Sequence, residues 1–397
     1  MRPAELAVAV APPGVPKGSF AAGAYRAYAY EMNVVAVAAG VVVVFGIAID
    51  MALTVLHPTI RGAFSHRLTR GLWRLIRALA VLTGSRRILT FAGPLATVAL
   101  FLAWLAGLWL GFGLIYLPFA DHFSASVHFA SRGLFAALYT SASVLTTLGL
   151  GDVLPTQNGV RVAVVCEAAA GVATVSAAIS YVLSVYPLAT KTRAHALYLS
   201  DLRLRQPRAA SEYIAATGNT GVAEVHQRLI DGHQSLRRFP VLYYFHPDAE
   251  EESVVRLLES ATVLCAIARW APPAEVTPYG FRVAMGLQTT LELIRADYLA
   301  KYIAGQIGQP KDEQIRLEAG VQTLRSIRER LDCPLTAAAL SDPDAREFAQ
   351  FASHMDHLLE GLARAHVYEH QPLLRRLADG DESSSRRESA ATPGTSP

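Results

Sequence analysis

Three stretches of this chain hold almost no charge, and each is long enough to cross a lipid bilayer: Asn33 to Leu56, broken only by Asp50; Ile88 to Ala120, with no charged residue; and Val162 to Thr190, broken only by Glu167. A hydrocarbon core about 30 Å thick takes roughly 20 helical residues, so each stretch reads as a transmembrane helix, the second with length to spare for tilt. Backbone polar groups in lipid must be satisfied inside the segment that carries them, which favours helices. The chain is therefore expected to be an all-α membrane protein. Composition agrees, since 52% of the 397 residues are apolar, only 17% are charged, and the apolar excess lies in the first half.

Charge placement sets the expected topology. The connector from His57 to Thr90 carries Arg61, Arg67, Arg70, Arg74, Arg77, Arg86 and Arg87 and no acid, which assigns it to the cytoplasm. Within it, Leu68 to Leu82 puts Leu72, Leu75, Ile76 and Leu79 on one helical face and Arg70, Arg74 and Arg77 elsewhere. That pattern suits a helix lying along the membrane surface, with an ordinary basic connector as the alternative. The uncharged stretch Gly133 to Gly151 is a fourth apolar run. Were it to cross, the basic segment after Thr190, with Lys191, Arg193, Arg203, Arg205 and Arg208, would face away from the arginine-rich connector. A segment that enters and returns on the outer side keeps both basic regions cytoplasmic, and non-helical backbone at that depth is tolerated where it is buried in protein or lines a wet cavity.

Several classes are excluded. A net charge of +3 with no basic and aromatic interleaving does not suit a nucleic-acid partner. Cys166, Cys265 and Cys333 are odd in number and widely spaced, so they are expected to be buried reduced thiols and not a disulfide framework or zinc site. The histidines, among them His122, His128, His246 and His354, show no metal-ligand spacing. The first apolar run starts too late for a cleaved signal peptide and is expected to remain as an anchor. The cytoplasmic part shows no strand followed by Gly-x-Gly-x-x-Gly, and no span carries the regular arginines of a voltage sensor.

The chemistry concentrates between Leu134 and Asp152. A short apolar helix, Leu134 to Leu145, leads into Thr146, Thr147, Leu148, Gly149, Leu150, Gly151 and Asp152. A pore that passes a dehydrated cation must replace its water shell with oxygens, and rings of backbone carbonyls do so without fixed charge. Gly149 and Gly151 can take positive φ, which lets successive carbonyls point the same way, and the Thr147 hydroxyl can add an oxygen at the inner end. The negative end of the preceding helix dipole would favour a cation.

This segment resembles the signature of the potassium channel family, Thr-x-Gly-Tyr-Gly-Asp with a second Thr before it, matching at Thr146, Thr147, Gly149, Gly151 and Asp152. Leu150 departs from it, standing where most members carry Tyr or Phe. An uncharged span precedes the pore helix and another follows the filter, as in that family, so the resemblance covers Phe91 to Tyr186. It implies outer helix, pore helix and filter, and inner helix; potassium coordinated at Thr147, Leu148, Gly149 and Leu150; a ring of four copies; and no cofactor beyond the permeant ion. Gly171, twenty residues after Gly151, has the spacing of an inner-helix hinge, although small residues also allow close helix packing. Glu167 is expected to make a structural hydrogen bond behind the filter, and Asp50, near the end of the first span, to snorkel to the interface or be locally paired.

The expected organisation is a disordered N-terminus (1–30), a transmembrane helix (31–56), a basic connector (57–90), the pore module (91–187), a helical cytoplasmic domain (188–375) and a disordered tail (376–397). Amphipathic patterns place helices at Thr220 to Arg238, Asp248 to Arg269, Tyr279 to Ile307, Lys311 to Leu331 and Asp344 to Tyr368. The functional expectation is a potassium-selective channel subunit in the cell membrane, multi-pass and surrounded by lipid, with an unidentified ligand or protein partner for its C-terminal domain. The alternatives are a weakly selective cation channel, a non-conducting scaffold, and an intramembrane aspartyl protease suggested by Gly-Leu-Gly-Asp with Asp50 as its second acid.

Overall fold

The computed structural model describes residues 20–56, 62–125, 133–298, 313–331, 343–368 and 372–379. In chain order these form α1 (Phe20–Leu56), α2 (Ala63–Thr83), α3 (Arg87–Thr90), α4 (Ala92–Tyr116), a 3-10 turn (Leu117–His122), β1 (Ser124–Ala125), α5 (Leu134–Leu145), β2 (Val153–Leu154) and α6 (Asn158–Asp201). There follow α7 (Pro207–Thr217), α8 (Asn219–Arg238), 3-10 turns at Pro240–Tyr244 and Glu250–Glu252, α9 (Val254–Trp270), α10 (Pro278–Tyr298), α11 (Glu313–Arg330), α12 (Pro343–His366) and α13 (Leu373–Asp379). The chain forms two compact units, one from residues up to Trp73 with Pro94–Ser184, the other from Arg74–Gly93 with residues from Val185 on.

Among the described residues three helices, α1, α4 and α6, are long and apolar enough to cross a membrane. On α4, Ala96, Leu100, Trp104, Leu108, Phe112 and Tyr116 recur every fourth residue and are all buried, while Leu95, Val98, Leu102 and Leu110 stay exposed. A helix apolar on both its packed and its open side suits a bilayer span. Contact with α1 is close where side chains are missing. A Cβ on Gly40 would lie 2.5 Å from the Gly111 carbonyl oxygen, and one on Gly107 would lie 2.8 Å from Ile47. Small residues four apart let helix backbones approach where lipid offers no hydrophobic drive.

Asp50 is only 5% exposed. Its carboxyl group accepts from the backbone N–H groups of Phe64 (2.9 Å) and Ser65 (3.3 Å), from the Ser65 hydroxyl, and from Trp104 Nε1 (3.0 Å). The acid thus caps the orphan donors at the start of α2 from another helix and ties both to α4. The local pairing expected for Asp50 is present.

The helix α2 begins before Leu68 and divides into three faces at 100° per residue. Ser65, Thr69, Trp73, Ile76 and Ala80 are buried; Phe64, Leu75, Leu79 and Leu82 are exposed apolar residues on a second face; Arg67, Arg70, Arg74 and Arg77 form the third. Ile76, expected beside Leu75 and Leu79, belongs to the packed face instead. Two further expectations need correction. Helix α1 starts at Phe20, inside the stretch read as disordered, because its Ala-rich turns have high helix propensity; residues 1–19 lie outside the described residues. Helix α6 does not stop with the apolar span at Thr190 but continues through to Asp201, passing Pro187 on the way, since one proline removes a single hydrogen bond and the following turns are good helix formers. Of the cysteines, Cys265 is buried but Cys166 is exposed, and Cys333 and His128 lie outside the described residues.

In the second unit α9 is the central element, buried on every side from Leu257 to Ala268. Ser253 caps its start by accepting from Arg256 N (3.2 Å), which is why the helix begins at Val254 and not at Asp248. Its one buried acid, Glu259, is held by Arg256 (2.6 Å), by Arg376 (2.8 Å) from α13, and by Arg205 (3.8 Å). Helices α8, α11 and α12 coincide closely with the amphipathic patterns; α10 starts where its pattern does, and the last part of that pattern, from residue 299, lies outside the described residues; α7 and α13 were not anticipated. The expected tail from residue 376 overlaps α13, and residues from 380 on lie outside the described residues.

His246 is 2% exposed and stacks on Tyr368 (4.9 Å) and His366 (5.6 Å). Burial, aided by the charges of Arg86 and Arg193, pushes its imidazole down from 6.5 to about 4. The unfolded chain binds a proton there before the folded one does, so this contribution is full above pH 6.5 and is lost as pH falls toward 4. Denaturant midpoints measured at pH 7.5 and pH 5 should differ by an amount on the order of 2 kcal/mol from this group, and His246→Phe should flatten that dependence. Separately, Asp50→Leu strands the donors of Phe64, Ser65 and Trp104. It should cost about 2–4 kcal/mol in detergent melts, with Asp50→Asn costing less.

Candidate functional site

The site is built from α4, α5, the segment Thr146 to Asp152, and the part of α6 up to Ser184, which belongs to the first unit. Helix α5 begins at Gly133, whose φ of 75° starts the turn. At its end the backbone does not simply unwind. Thr147 N donates to Val144 O (2.9 Å), while the N–H groups of Leu148 (2.9 Å) and Gly149 (3.2 Å) both point back to Ser143 O. Thr147, Gly149 and Gly151 have φ of 57°, 56° and 73°, and the leucines between them do not share that sign. Left-handed conformation at every second residue turns successive peptide carbonyls toward one side, which an extended or helical strand does not do. Both glycines expected to take positive φ do so; Thr147 does as well, at a steric cost a β-branched residue normally avoids.

The strip is exposed along Thr146 to Gly151, with Leu148 at 64% and Leu150 at 56%. Its outer end is tied twice. Tyr139 Oη donates to Asp152 Oδ2 (2.6 Å), and Val153 and Leu154 pair antiparallel with Ala125 and Ser124. Behind it lies a buried polar knot. Glu167 is fully buried, with Oε2 accepting from Tyr116 Oη (2.6 Å) and Oε1 2.5 Å from Ser141 Oγ. Ser141 Oγ also stands 2.9 Å from Trp109 O, and Trp109 Nε1 donates to Leu138 O (2.8 Å). Outer helix, pore helix and inner helix are thereby pinned at one level. The structural hydrogen bond expected of Glu167 is there; its partners Tyr116 and Ser141, and the Tyr139 clasp on Asp152, were not read from the sequence.

Gly171 faces the end of α5 so closely that a Cβ would lie 2.2 Å from the Leu145 carbonyl oxygen. One face of α6 carries exposed Val165, Val172, Val175, Ile179, Leu183 and Tyr186. At helical spacing these form a continuous apolar stripe.

A short helix ending in a carbonyl-presenting strip, set between two spans, is the geometry of a re-entrant pore loop, and a family model described as an ion channel matches residues 100–186. These residues are an ion channel domain. The channel domain is of the potassium-channel type in its module of outer helix, pore helix and inner helix, and the protein is accordingly no enzyme. Asp50 and Asp152, the two acids of the protease alternative, are engaged by different partners, Ser65 with Trp104 and Tyr139 respectively. Ion channels of this family are usually oligomeric, and the domain implies permeant ions. Among curated proteins, the uncharacterized membrane protein YdjJ of Bacillus subtilis (strain 168) is 21% identical over 236 residues, 55% of this chain. The match spans 64% of that protein's length. No solved structure matches the chain.

Gly171→Ala forces the Leu145 carbonyl and hence the start of the strip to move. It should lower the melting temperature of the purified protein as well as its ion flux, whereas a pure hinge role would leave melting unchanged.

Proposed function

We propose that this protein is a subunit of a potassium-selective channel in which four copies bring their Thr147 to Gly151 strips around one axis. The observation that carries the reading is the alternation of positive φ at Thr147, Gly149 and Gly151 immediately after a pore helix. Carbonyls of Thr147, Leu148, Gly149 and Leu150, with the Thr147 hydroxyl, replace the ion's water shell, and the negative end of α5 lowers the energy of a cation in the cavity below. Thr146 supports the turn through its hydroxyl, which donates to Ala142 O (2.7 Å), and Asp152 anchors the outer end through Tyr139. The exposed stripe from Val172 to Tyr186 lines the inner cavity and subunit contacts. Gly171 acts first as a packing glycine, and any hinge at this point has to open the contact with Leu145.

The reading puts the second unit on the cytoplasmic side of the cell membrane, supported by the arginines of α2 and the basic residues after Thr190. The exposed apolar face of α2, between the packed face and the arginines, is what a helix at the lipid interface presents. Weak cation selectivity is the second reading, favoured by one feature: Leu150 supplies no aromatic ring or hydroxyl to brace the strip from behind.

Purified protein in liposomes should give potassium flux that barium blocks and sodium does not replace. Gly149→Ala and Gly151→Ala place a side chain at positive φ and should abolish that flux while the protein still inserts and assembles. Retained selective flux in either variant would remove the mechanism, and equal sodium flux in the wild type would establish the weakly selective reading.

A further inference from the structure

The second unit contains a cavity that the channel reading does not use. It is enclosed by α6, α8, the turn at 240–244, α9, α10 and α12, and is walled mainly by apolar side chains such as Leu229, Leu236, Leu258 and Ile294. Its volume is about 60 Å³, counted as space open to the centres of water-sized atoms. A water needs roughly 10–15 Å³ on that measure, so the space suits one small molecule with a short hydrocarbon part.

One cation stands on this wall. Arg193 is half-buried, its terminal Nη2 donates to the His246 carbonyl at 3.3 Å, and its Nε is buried with no hydrogen-bond partner. Glu252 also lines the cavity, but among the described residues no ion pair joins it to Arg193. The neighbouring rings of His246 and His366 are held neutral by burial and by surrounding arginines, so they do not compete with Arg193 as charge partners for an anion. A guanidinium on the wall of an apolar chamber matches a carboxylate with an alkyl tail: the cation attracts the oxygens and the chamber takes the methylenes.

We propose that this cavity is a binding site for a short-chain aliphatic carboxylate, held by Arg193 and by the apolar walls of α8 and α9. The site lies on the same helix that carries Glu167 and Gly171 in the channel domain, since Ala189, Thr192 and Arg193 all belong to α6.

The structure also supplies a blocking variant. Gly232 lines the cavity, and a Cβ built on it meets nothing within 4 Å, so the side chain of Gly232→Leu starts into open space, and the substitution raises helix propensity. Titration calorimetry of the full-length protein in nanodiscs with pentanoate should show saturable binding at one site per chain. Pentanamide and the Arg193→Gln variant should each weaken it at least tenfold, and Gly232→Leu should abolish it. No saturable binding to the wild type, or equal binding of acid and amide to all three proteins, overturns the proposal. Should Gly232→Leu fail to fold, Arg193→Gln and the amide comparison decide it. Pentanoate that binds as described in a protein without flux leaves the site standing and removes the channel reading alone.

Discussion

Two carboxyl groups sit in helices that must otherwise be apolar, and the way each is satisfied decides which helices can touch. Lipid offers no water to a stray acid, so Glu167 and Asp50 have to find donors within the protein. Glu167 finds them on α4 and α5, through Tyr116 and Ser141, and this fixes pore helix, outer helix and inner helix against one another behind the filter strip. Asp50 finds them at the start of α2 and at Trp104. The helix packing in between is close but generic, made of leucines, alanines and glycines that would tolerate other registers. The polar knots remove that freedom, because sliding one helix by a turn would leave buried donors without acceptors.

Small residues do the complementary task. Gly171 under Leu145, and Gly40 against Gly111, bring backbones nearer than any side chain permits. The strip from Thr147 to Gly151 is then held from several directions: covalently by α5, from behind by the Glu167 knot, and at the outer end by Tyr139 and by the two-residue pairing of β1 with β2. That surrounding support is what lets Thr147 keep a left-handed backbone, a conformation costing on the order of 1–3 kcal/mol for a β-branched residue.

Features that repeat with a local period were legible in the sequence. The apolar parts of the three spans, the amphipathic helices α8, α11 and α12, and the start of α10 follow from composition and spacing within a few residues, and the positive φ of Gly149 and Gly151 follows from residue type. What escaped depends on partners distant along the chain. The bond from Tyr139 to Asp152 joins residues 13 apart, that from Ser141 to Glu167 joins residues 26 apart, and that from Tyr116 to Glu167 joins residues 51 apart. Nothing in a one-dimensional pattern pairs them. The end of α6 was misread for another reason: the change from apolar to basic residues near Thr190 marks a change of solvent and not a change of backbone, so the helix carries on through it. Helix α7 is short, and only Pro207 at its start and Gly218 at its end, with φ of 59°, betray it.

At 44 residues, α6 is about 66 Å long, roughly twice the thickness of a bilayer's hydrocarbon core. A rod of that length is a lever. A tilt of about 5° imposed at one end displaces the other by roughly 6 Å, comparable to one helical turn, so angular changes too small to disturb any single packing contact become large translations elsewhere on the same helix. Pro187 places the missing hydrogen bond between the longer part that bears the apolar stripe and the shorter part that bears Lys191 and Arg193, which makes that joint the softest point of the rod.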